Sequence, residues 1–414
     1  MEAPEILLDA RHPDVRIDLG MARAEFAQRA ATRAFADQLA AIHATLIEAR
    51  EFPEVFVGPL AATMPDAVEF AERAAVADLA MRLFLAEQTV RAQDHEAAVL
   101  IARVPRVWSA LREGDVSVPN ARAIAEIIDA LPEAAWIPFE DAVLTPATTL
   151  APARFRTFAR AARDRVHTEH LAERHRRRVE ERRVWIEADI DGMSFLHAYL
   201  PAETAARAMA HLDRVATALA AAPDETRTKA QLRADAAGDA LAGVLGAAGS
   251  TGVTVMVTVP VMTLLGVGEE PGILAGHGPI APDVARRLAA HAPSFFRLLT
   301  HPVTGAILDL DRTTYRVPAD LKRRVRIRDG QCTFIGCGRR AEDCDLDHTV
   351  AWAADRGPTA DTNLAALCRN HHRLKHNTRW QMTQDAATGI IWTSPTGATR
   401  GADPPPWVCR KVCV

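Results

Sequence analysis

The first 331 residues contain no cysteine, and the whole chain of 414 residues has only two tyrosines and 5% aromatic residues. The absence of cysteine excludes a disulfide framework across this part of the chain. Hydrophobic residues make up 49% and charged residues 25% of the sequence, which is the composition of a folded globular protein rather than a disordered one. A chain of this length has room for two or three domains.

A secretory signal is also missing from the sequence. The segment from Met1 to Arg11 is acidic and has no apolar core followed by small residues, so we expect a cytoplasmic protein. Charge is absent from Ala240 to Gly268, which is long enough to suggest a membrane span. Four glycines and Pro260 interrupt this stretch, and Val253 to Val259 alternates like a strand. We therefore expect no membrane segment.

Positive charge is concentrated in the last quarter of the chain. The formal net charge is −4, yet residues 318–380 carry twelve Lys/Arg against eight Asp/Glu, so the remainder carries −8. A positive segment on an acidic protein is an electrostatic footprint for nucleic acid, and it counts as supporting evidence only. The arginine-rich segment 174–183 either binds phosphate or forms a solvated helix face, and its interleaved glutamates favour the solvated face.

Local patterns predict an α+β fold. The sequence from Met21 to Ala247 is alanine-rich and mostly helical in pattern, and Ser117-Val118-Pro119 predicts the start of one helix. Asp191-Gly192 between two β-type runs predicts a hairpin. A basic helix over 319–328 then leads to the first cysteine. We predict a mostly helical domain with a few strands over residues 20–317 and a small metal-stabilised domain over residues 318–400.

Two pairs of residues have the spacing of a structural zinc site. Cys332 and Cys337 flank a turn, and Cys368 and His371 lie one helical turn apart. Together they supply the four N or S ligands that zinc takes in a tetrahedral structural site. The alternative, buried cysteines that act as small hydrophobes, applies more readily to a single cysteine than to two spaced pairs. Cys344 is a weaker candidate ligand.

A second group of residues remains for chemistry. His372 and His376 lie four residues apart on one face of the predicted helix, so both can bind one ion, whereas His371 faces another way. The Asp347-His348 step lies in a strand-like stretch. The carboxylate can hold a hard divalent cation, and the imidazole can take a proton from water. Hydrolysis of a phosphodiester needs both.

The order of these motifs resembles an HNH endonuclease of the ββα-metal fold. The motifs are the Asp347-His348 step, the Asn363-Leu364 pair and the helix Leu367-Cys368-x2-His371-His372-x2-Lys375. Taken alone, Asn363 either braces a loop, adds a metal oxygen, or is a simple turn or cap residue. Further segments at 231–235, 276–280, 315–318, 329–334 and 392–397 resemble the actinobacterial thirteen-E-twelve repeat family. Those proteins join an N-terminal, largely helical domain of unknown function to a C-terminal HNH module.

The resemblance implies a role for each residue of the motifs. His348 is the general base, Asn363 orients the loop, and the catalytic cation, Mg²⁺ or Mn²⁺, is bound by Asp347 and His372 with His376 as an additional ligand. The structural Zn²⁺ is held by Cys332, Cys337, Cys368 and His371. The sequence departs from the family pattern at Ile335 and Ala351, where proline is expected, and near Gly357, where a second glycine is expected. These departures affect loop shape more than catalytic competence.

The leading hypothesis is therefore metal-dependent hydrolysis of DNA. Four basic side chains are expected to contact phosphates without reading sequence, namely Arg326, Arg328, Arg373 and Lys375. The alternative is a catalytically inactive, zinc-stabilised module that binds DNA or another protein. A third interpretation gives the main role to the N-terminal region, as a scaffold or regulator that the C-terminal module anchors.

Overall fold

A computed structural model of the chain describes residues 13–167, 169–241, 257–274, 277–290, 317–351, 357–385 and 389–403. Most of these residues are helical, and the strands form small sheets of two or three strands. The predicted α+β class is therefore confirmed. Within the described ranges, none of the helices has both the length and the apolar character that a membrane span requires.

Eight α-helices come first in the described part of the chain. They are α1 (Pro13–Glu51), α2 (Glu54–Val57), α3 (Ala67–Leu83), α4 (Glu87–Arg103), α5 (Pro105–Glu113), α6 (Val118–Ile128), α7 (Trp136–Thr149) and α8 (Pro152–Val166). Helix α6 begins as predicted, because the Ser117 side chain accepts a hydrogen bond from the backbone N–H of Asn120 and a proline stands in the first turn. Its Ile124 and Ile128 side chains are fully buried.

The middle of the chain combines helices with short strands. Its elements are α9 (Leu171–Glu180), β1 (Arg183–Ala188), β2 (Ser194–Tyr199), α10 (Ala202–Leu219), α11 (Lys229–Leu241), β3 (Val257–Thr258), α12 (Val261–Leu264), β4 (Gly272–Leu274), β5 (Gly278–Ile280) and α13 (Pro282–Ala290). The predicted hairpin is β1–β2, and both Asp191 (φ 55°) and Gly192 (φ 76°) have the positive φ of its tight turn. Of the strand expected over 253–259, residues 257–258 form β3, and residues 253–256 lie outside the described ranges.

The C-terminal module is the name used here for the described residues from 317 to 403. It contains α14 (Ala319–Asp329), β6 (Asp345–His348), β7 (Leu364–Leu367), α15 (Arg369–Asn377), β8 (Gln381–Asp385), β9 (Gly389–Thr393) and β10 (Thr399–Gly401). Strands β6 and β7 are antiparallel, with Asp347 opposite Ala365 and His348 opposite Leu364. Strand β9 pairs with both β8 and β10. The module thus places a helix directly after a two-stranded ladder.

Backbone contacts divide the chain into two units. The first joins Met1–Thr168 to Leu299–Pro405, and the second comprises Glu169–Leu298 with Pro406–Val414. In the first unit, one apolar core lies among α4 to α8, and another combines α1, α3 and α4 with the C-terminal module. The domain boundaries proposed from sequence, 20–317 and 318–400, stay a prediction. The sequence did not predict that residues from the two ends of the chain belong to one unit.

Candidate metal centres

Three cysteines and one histidine of the C-terminal module converge and are called the Cys3His cluster. Their ligand atoms, from Cys332, Cys337, Cys368 and His371, all lie within 4.8 Å of one another. Cys332 and Cys337 lie in a turn in which Gly336 has a φ of 71°, a value that favours glycine. Cys368 precedes α15, and His371 lies in the first turn of that helix. The turn and the helix start therefore bring both pairs to one point.

The chemistry and spacing of the Cys3His cluster fit a tetrahedral metal site. The Nδ1 atom of His371 lies 3.3 Å from Cys332 Sγ and 3.2 Å from Cys368 Sγ. Ligands at the usual zinc distances of about 2.0–2.3 Å are about 3.3–3.8 Å apart in a tetrahedron. Hydrogen bonds from Cys332 and Cys337 lower the pKa of the Cys368 thiol, whereas hydrogen bonds from Cys332 and Cys368, together with burial, raise the pKa of the Cys337 thiol. Cys368 is therefore the thiol that favours the thiolate, which is the form that binds metal.

His371 is held on its other sides by groups outside the Cys3His cluster. Its Nε2 atom lies 2.7 Å from a carboxylate oxygen of Glu87, and its ring stacks on Phe334 with a centroid distance of 4.1 Å. Burial lowers the pKa of His371, whereas the neighbouring thiols and the Glu87 carboxylate raise it, to about 11 overall. Cys344 lies outside this set, because its thiol donates to the Arg340 carbonyl at 3.2 Å.

The second group of possible ligands is called the Asp-His cluster and consists of Asp347, His372 and His376. Its ligand atoms also lie within 4.8 Å of one another. Asp347 Oδ1 lies 3.6 Å from His372 Nε2 and 3.2 Å from His376 Nε2. Strand β6 supplies the carboxylate and successive turns of α15 supply the imidazoles, as the four-residue spacing requires. One carboxylate and two imidazoles are a donor set that suits a divalent transition metal.

Lys375 also reaches the Asp-His cluster, although the sequence suggested that it contacts phosphate. Its Nζ atom donates to Asp347 Oδ2 at 2.7 Å and also to the backbone carbonyl of His348. Burial acts to raise the pKa of Asp347, but hydrogen bonds from His372 and Lys375 hold it well below its usual range. The Asp347 carboxylate in turn raises the pKa of His372. Asp347 is therefore an ionised carboxylate that is paired with the Lys375 ammonium.

His348 is buried beside the Asp-His cluster, with 8% of its surface exposed. Its Nε2 atom lies 3.0 Å from the hydroxyl of Thr359. Burial lowers the pKa of His348, which favours the neutral imidazole that can accept a proton. Asp347 and His348 are consecutive in β6, so their side chains leave opposite faces of the strand.

Asn363 braces the loop that follows β6. Its Oδ1 atom accepts a hydrogen bond from Val350 N at 2.8 Å, and its Nδ2 atom donates to the carbonyls of Val350 and Pro358 at 3.1 and 2.9 Å. At Gly357 an added Cβ would lie 2.0 Å from the Val350 carbonyl, so only glycine fits there. These bonds are those of a loop brace, one of the roles considered for Asn363.

Most of the expected phosphate contacts have partners inside the C-terminal module. Arg326 donates to the Cys344 carbonyl at 3.1 Å. Arg328 donates to the Asp361 carboxylate at 2.7 Å and to the Leu364 carbonyl at 2.6 Å. The Lys375 side chain is 12% exposed. Arg373, the fourth basic residue proposed as a phosphate contact, is exposed, and its guanidinium lies over the ring of Phe70.

Arg369 is a candidate that the sequence reasoning missed. Its side chain is 83% exposed, and it begins α15. It lies three residues before His372 and seven before His376, so all three side chains share one face of the helix. That spacing is visible in the sequence and was available as a signal. Arg369 therefore provides an exposed positive charge on the same helix face as the two imidazoles, and it lies 4.0 Å from the Asp345 carboxylate.

Comparison with known proteins places most of the chain in one family. The model of the domain of unknown function DUF222 matches residues 26–329. The chain belongs to the DUF222 family. The uncharacterized protein Rv3776 of Mycobacterium tuberculosis is 34% identical over 232 residues, which cover 47% of this chain and 44% of that protein. Two further uncharacterized proteins of Mycobacterium tuberculosis, MT2160 and Rv2100, are each 44% identical over 91 residues, or 22% of this chain and 16% of theirs.

No solved structure matches this DUF222 chain. The chain spans less than half of the length of the relatives named above. The DUF222 match ends at residue 329, just before the first cysteine of the Cys3His cluster. Both clusters of possible metal ligands therefore lie beyond the matched residues.

The DUF222 helices α1, α3 and α4 share an apolar core with the C-terminal module. Among its members are Leu46, Phe70, Ala74, Val90, Phe334, Leu374, Trp380 and Trp392. The indole N–H of Trp380 donates to the carbonyl of Ala74 at 3.3 Å, and the backbone N–H of Arg379 donates to that of Phe56 at 2.7 Å. The module therefore packs directly on the first helices of the family domain.

Proposed function

We propose that this DUF222 protein is a metal-dependent endonuclease that hydrolyses DNA phosphodiester bonds. The observation that carries the proposal is the convergence of Asp347, His372 and His376 on one side of a strand–strand–helix arrangement. The Cys3His cluster joins the turn before that arrangement to the start of its helix. This order of elements and ligands supports interpretation of the C-terminal module as a ββα-metal HNH domain.

Each cluster has a separate role in this proposal. Cys332, Cys337, Cys368 and His371 would hold a structural zinc ion, since three thiols and an imidazole are ligands that zinc prefers. Asp347, His372 and His376 would hold a divalent cation. Two imidazoles favour Mn²⁺ over Mg²⁺, because Mg²⁺ prefers oxygen ligands. When bound, the cation supplies positive charge that stabilises the phosphate in the transition state.

The remaining residues of the proposed site act on water and on the phosphate backbone. His348 accepts the proton of the attacking water, with its ring held by the Thr359 hydroxyl. Asn363 keeps the loop after β6 in place through its three hydrogen bonds. Arg369 and Arg373, both exposed on α15, contact phosphates without reading sequence. Lys375 positions the Asp347 carboxylate and the backbone of His348 rather than contacting DNA.

A plasmid assay tests the proposal. The full chain is incubated with supercoiled plasmid and Mn²⁺ or Mg²⁺, with a chelator control, and conversion to nicked or linear DNA is measured. His348→Ala should lower the cleavage rate by about 10²–10⁴-fold, the usual contribution of a general base, and should leave the Cys3His metal content unchanged. The control is His95→Ala, because His95 is 60% exposed on α4, pairs with Asp129 and belongs to neither cluster. Cleavage by His348→Ala at the parent rate would show that another group is the base.

A second candidate function is a zinc-stabilised module that binds DNA or protein without cutting it. It is favoured by the contact of Lys375 with Asp347, which already supplies a positive charge to that carboxylate, and by the burial of His348. This module would give no nicking with any divalent metal. If it binds DNA through Arg369 and Arg373, a gel-shift titration would show affinity that falls with salt and weakens when both are replaced by alanine.

A further inference from the structure

Glu87 connects the DUF222 helices to the Cys3His cluster. It lies in the first turn of α4, and its Oε1 atom is 2.7 Å from Nε2 of His371, a residue 284 positions later in the chain. The side chain of His371 is 8% exposed and that of Glu87 is 27% exposed. The bond is thus largely shielded from water, and a charge-assisted hydrogen bond gains strength from such shielding.

The hydrogen bond from His371 to Glu87 orients the imidazole for metal binding. Nδ1 of His371 faces the thiols of the Cys3His cluster, so Nδ1 is the nitrogen available to a metal. A histidine that binds metal through one nitrogen carries its proton on the other, and an acceptor for that proton fixes the tautomer and the ring orientation. The Glu87 carboxylate is such an acceptor. Phe334 stacks on the ring face at 4.1 Å and 18°, which restricts its rotation.

The surface that presents Glu87 is firmly attached to the C-terminal module. Besides the shared apolar core, the Arg73 guanidinium on α3 donates to the backbone and side-chain oxygens of Asn370 at 3.4 and 3.3 Å. Asn370 is the residue immediately before His371. Two neighbouring helices, α3 and α4, therefore contact consecutive residues at the start of α15. The position of Glu87 relative to the cluster is set by packing and not by one flexible contact.

We propose that Glu87 is a positioning residue of the Cys3His metal centre, so that metal retention depends on the packing of the DUF222 helices against α15. The inference rests on the metal site of the proposed function but not on the nuclease reaction. Coupling of this kind is reciprocal, because a contact that strengthens metal binding is itself strengthened by the bound metal. The DUF222 domain would then supply a residue that contacts a ligand of the metal centre.

The test compares metal release from full-length variants. Each purified protein is loaded with zinc, its metal content is measured, and zinc transfer to a chromogenic chelator is followed with time. Losing the partner of a ligating histidine usually costs about 10–100-fold in metal affinity, so Glu87→Ala should release zinc faster than the parent by up to about that factor. Glu87→Gln should be intermediate, because the amide oxygen still accepts the hydrogen bond without the charge.

The matched control is Glu54→Ala. Glu54 is an exposed acidic residue in the first turn of α2, so its loss changes charge and helix-start electrostatics as the loss of Glu87 does. This control should release zinc at the parent rate. If Glu87→Ala does not fold, the Glu87→Gln rate decides the question, because that side chain has nearly the same shape.

A second readout measures the reverse coupling by hydrogen exchange. Removal of zinc should increase amide exchange at residues 87–91 of α4 more than at residues 54–57 of α2. Release of zinc from Glu87→Gln and Glu87→Ala at the parent rate would overturn the inference while leaving the metal site intact. A parent protein that retains no zinc would instead overturn the metal assignment itself, whatever the plasmid assay shows.

Discussion

Replacement of Arg328 by alanine distinguishes an internal brace from a phosphate contact. The sequence suggested a phosphate contact, but the guanidinium donates to the carboxylates of Asp329 and Asp361 at 2.7 Å each and to the Leu364 carbonyl at 2.6 Å. The second Asp329 oxygen accepts from the backbone N–H of Ala366 at 2.8 Å, so this network joins α14 to β7. Its loss should therefore loosen the ladder that presents Asp347.

The size of the effect follows from burial. The Arg328 side chain is 21% exposed, and those of Asp329 and Asp361 are 5% and 7% exposed. Removal of Arg328 leaves the buried Asp329 carboxylate without a cation, whereas Asp361 keeps its ion pair with Arg324 at 3.5 Å. Breaking a buried ion pair costs about 3–5 kcal/mol, and the remaining Arg324 contact places the expected loss at the lower end. For a unit of this size, each kcal/mol corresponds to roughly 2–4 °C in melting temperature, so Arg328→Ala should melt roughly 10 °C below the parent. Arg328→Lys should recover part of the loss, because lysine keeps the charge but has no planar fork.

The assay is thermal unfolding followed by circular dichroism, together with a DNA gel shift at several salt concentrations. Arg373→Ala is the matched control, because that residue is exposed on α15 and the loss of its contact with the Phe70 ring should change stability by no more than about 1 kcal/mol. The internal role of Arg328 is refuted if Arg328→Ala melts within about 2 °C of the parent while its DNA affinity and salt dependence both fall, the pattern of a phosphate contact.

Three further substitutions test other contacts of the C-terminal module. Lys375→Met leaves the Asp347 carboxylate without its ammonium partner, so the melting temperature should fall. Added Mn²⁺ should then raise the melting temperature of the variant more than that of the parent. An equal rise in melting temperature for the two proteins would contradict this role of Lys375. Gly357→Ala places a methyl group 2.0 Å from the Val350 carbonyl, so the loop must shift and the hydrogen bond from the Val350 amide to Asn363 should weaken. Hydrogen exchange at the Val350 amide should therefore become faster. An unchanged exchange rate would disprove the close approach of Gly357 to the Val350 carbonyl. Trp392→Ala removes a fully buried indole, and urea denaturation should show a loss of about 3–5 kcal/mol. Trp392→Phe should recover only part of it, because phenylalanine cannot donate to the Thr333 carbonyl. A loss below about 1 kcal/mol for Trp392→Ala would show that the site is loosely packed.

Features with local causes were predictable from the sequence. The start of α6 depends on a serine and a proline within three residues, and the β1–β2 turn depends on Asp191 and Gly192. The two groups of possible ligands come together largely because spacings of three and four residues fix the faces of α15. In each case the determining residues lie within about one helical turn, so the pattern contains the information.

Features that depend on distant residues were not predictable in this way. No local pattern indicates that Arg328 faces Asp361, because basic residues on a helix are more often solvated than buried. The contact between Glu87 and His371 joins residues 284 positions apart, and α4 has no local pattern that marks Glu87 as a metal-site residue. The joining of α1, α3 and α4 to the C-terminal module likewise results from complementary packing of surfaces that a single sequence does not pair.

The shared apolar core has a consequence for how the protein is made on the ribosome. One part of that core comes from residues up to Val90, and the other begins at Cys332, about 240 residues later. At the usual 5–20 residues per second, translation of the intervening segment takes roughly 10–50 s. During that interval the emerging helices lack the aromatic side chains that cover them in the finished protein, among them Trp380 and Trp392. The nascent chain therefore exposes an apolar surface that chaperones can bind until its last quarter has left the exit tunnel.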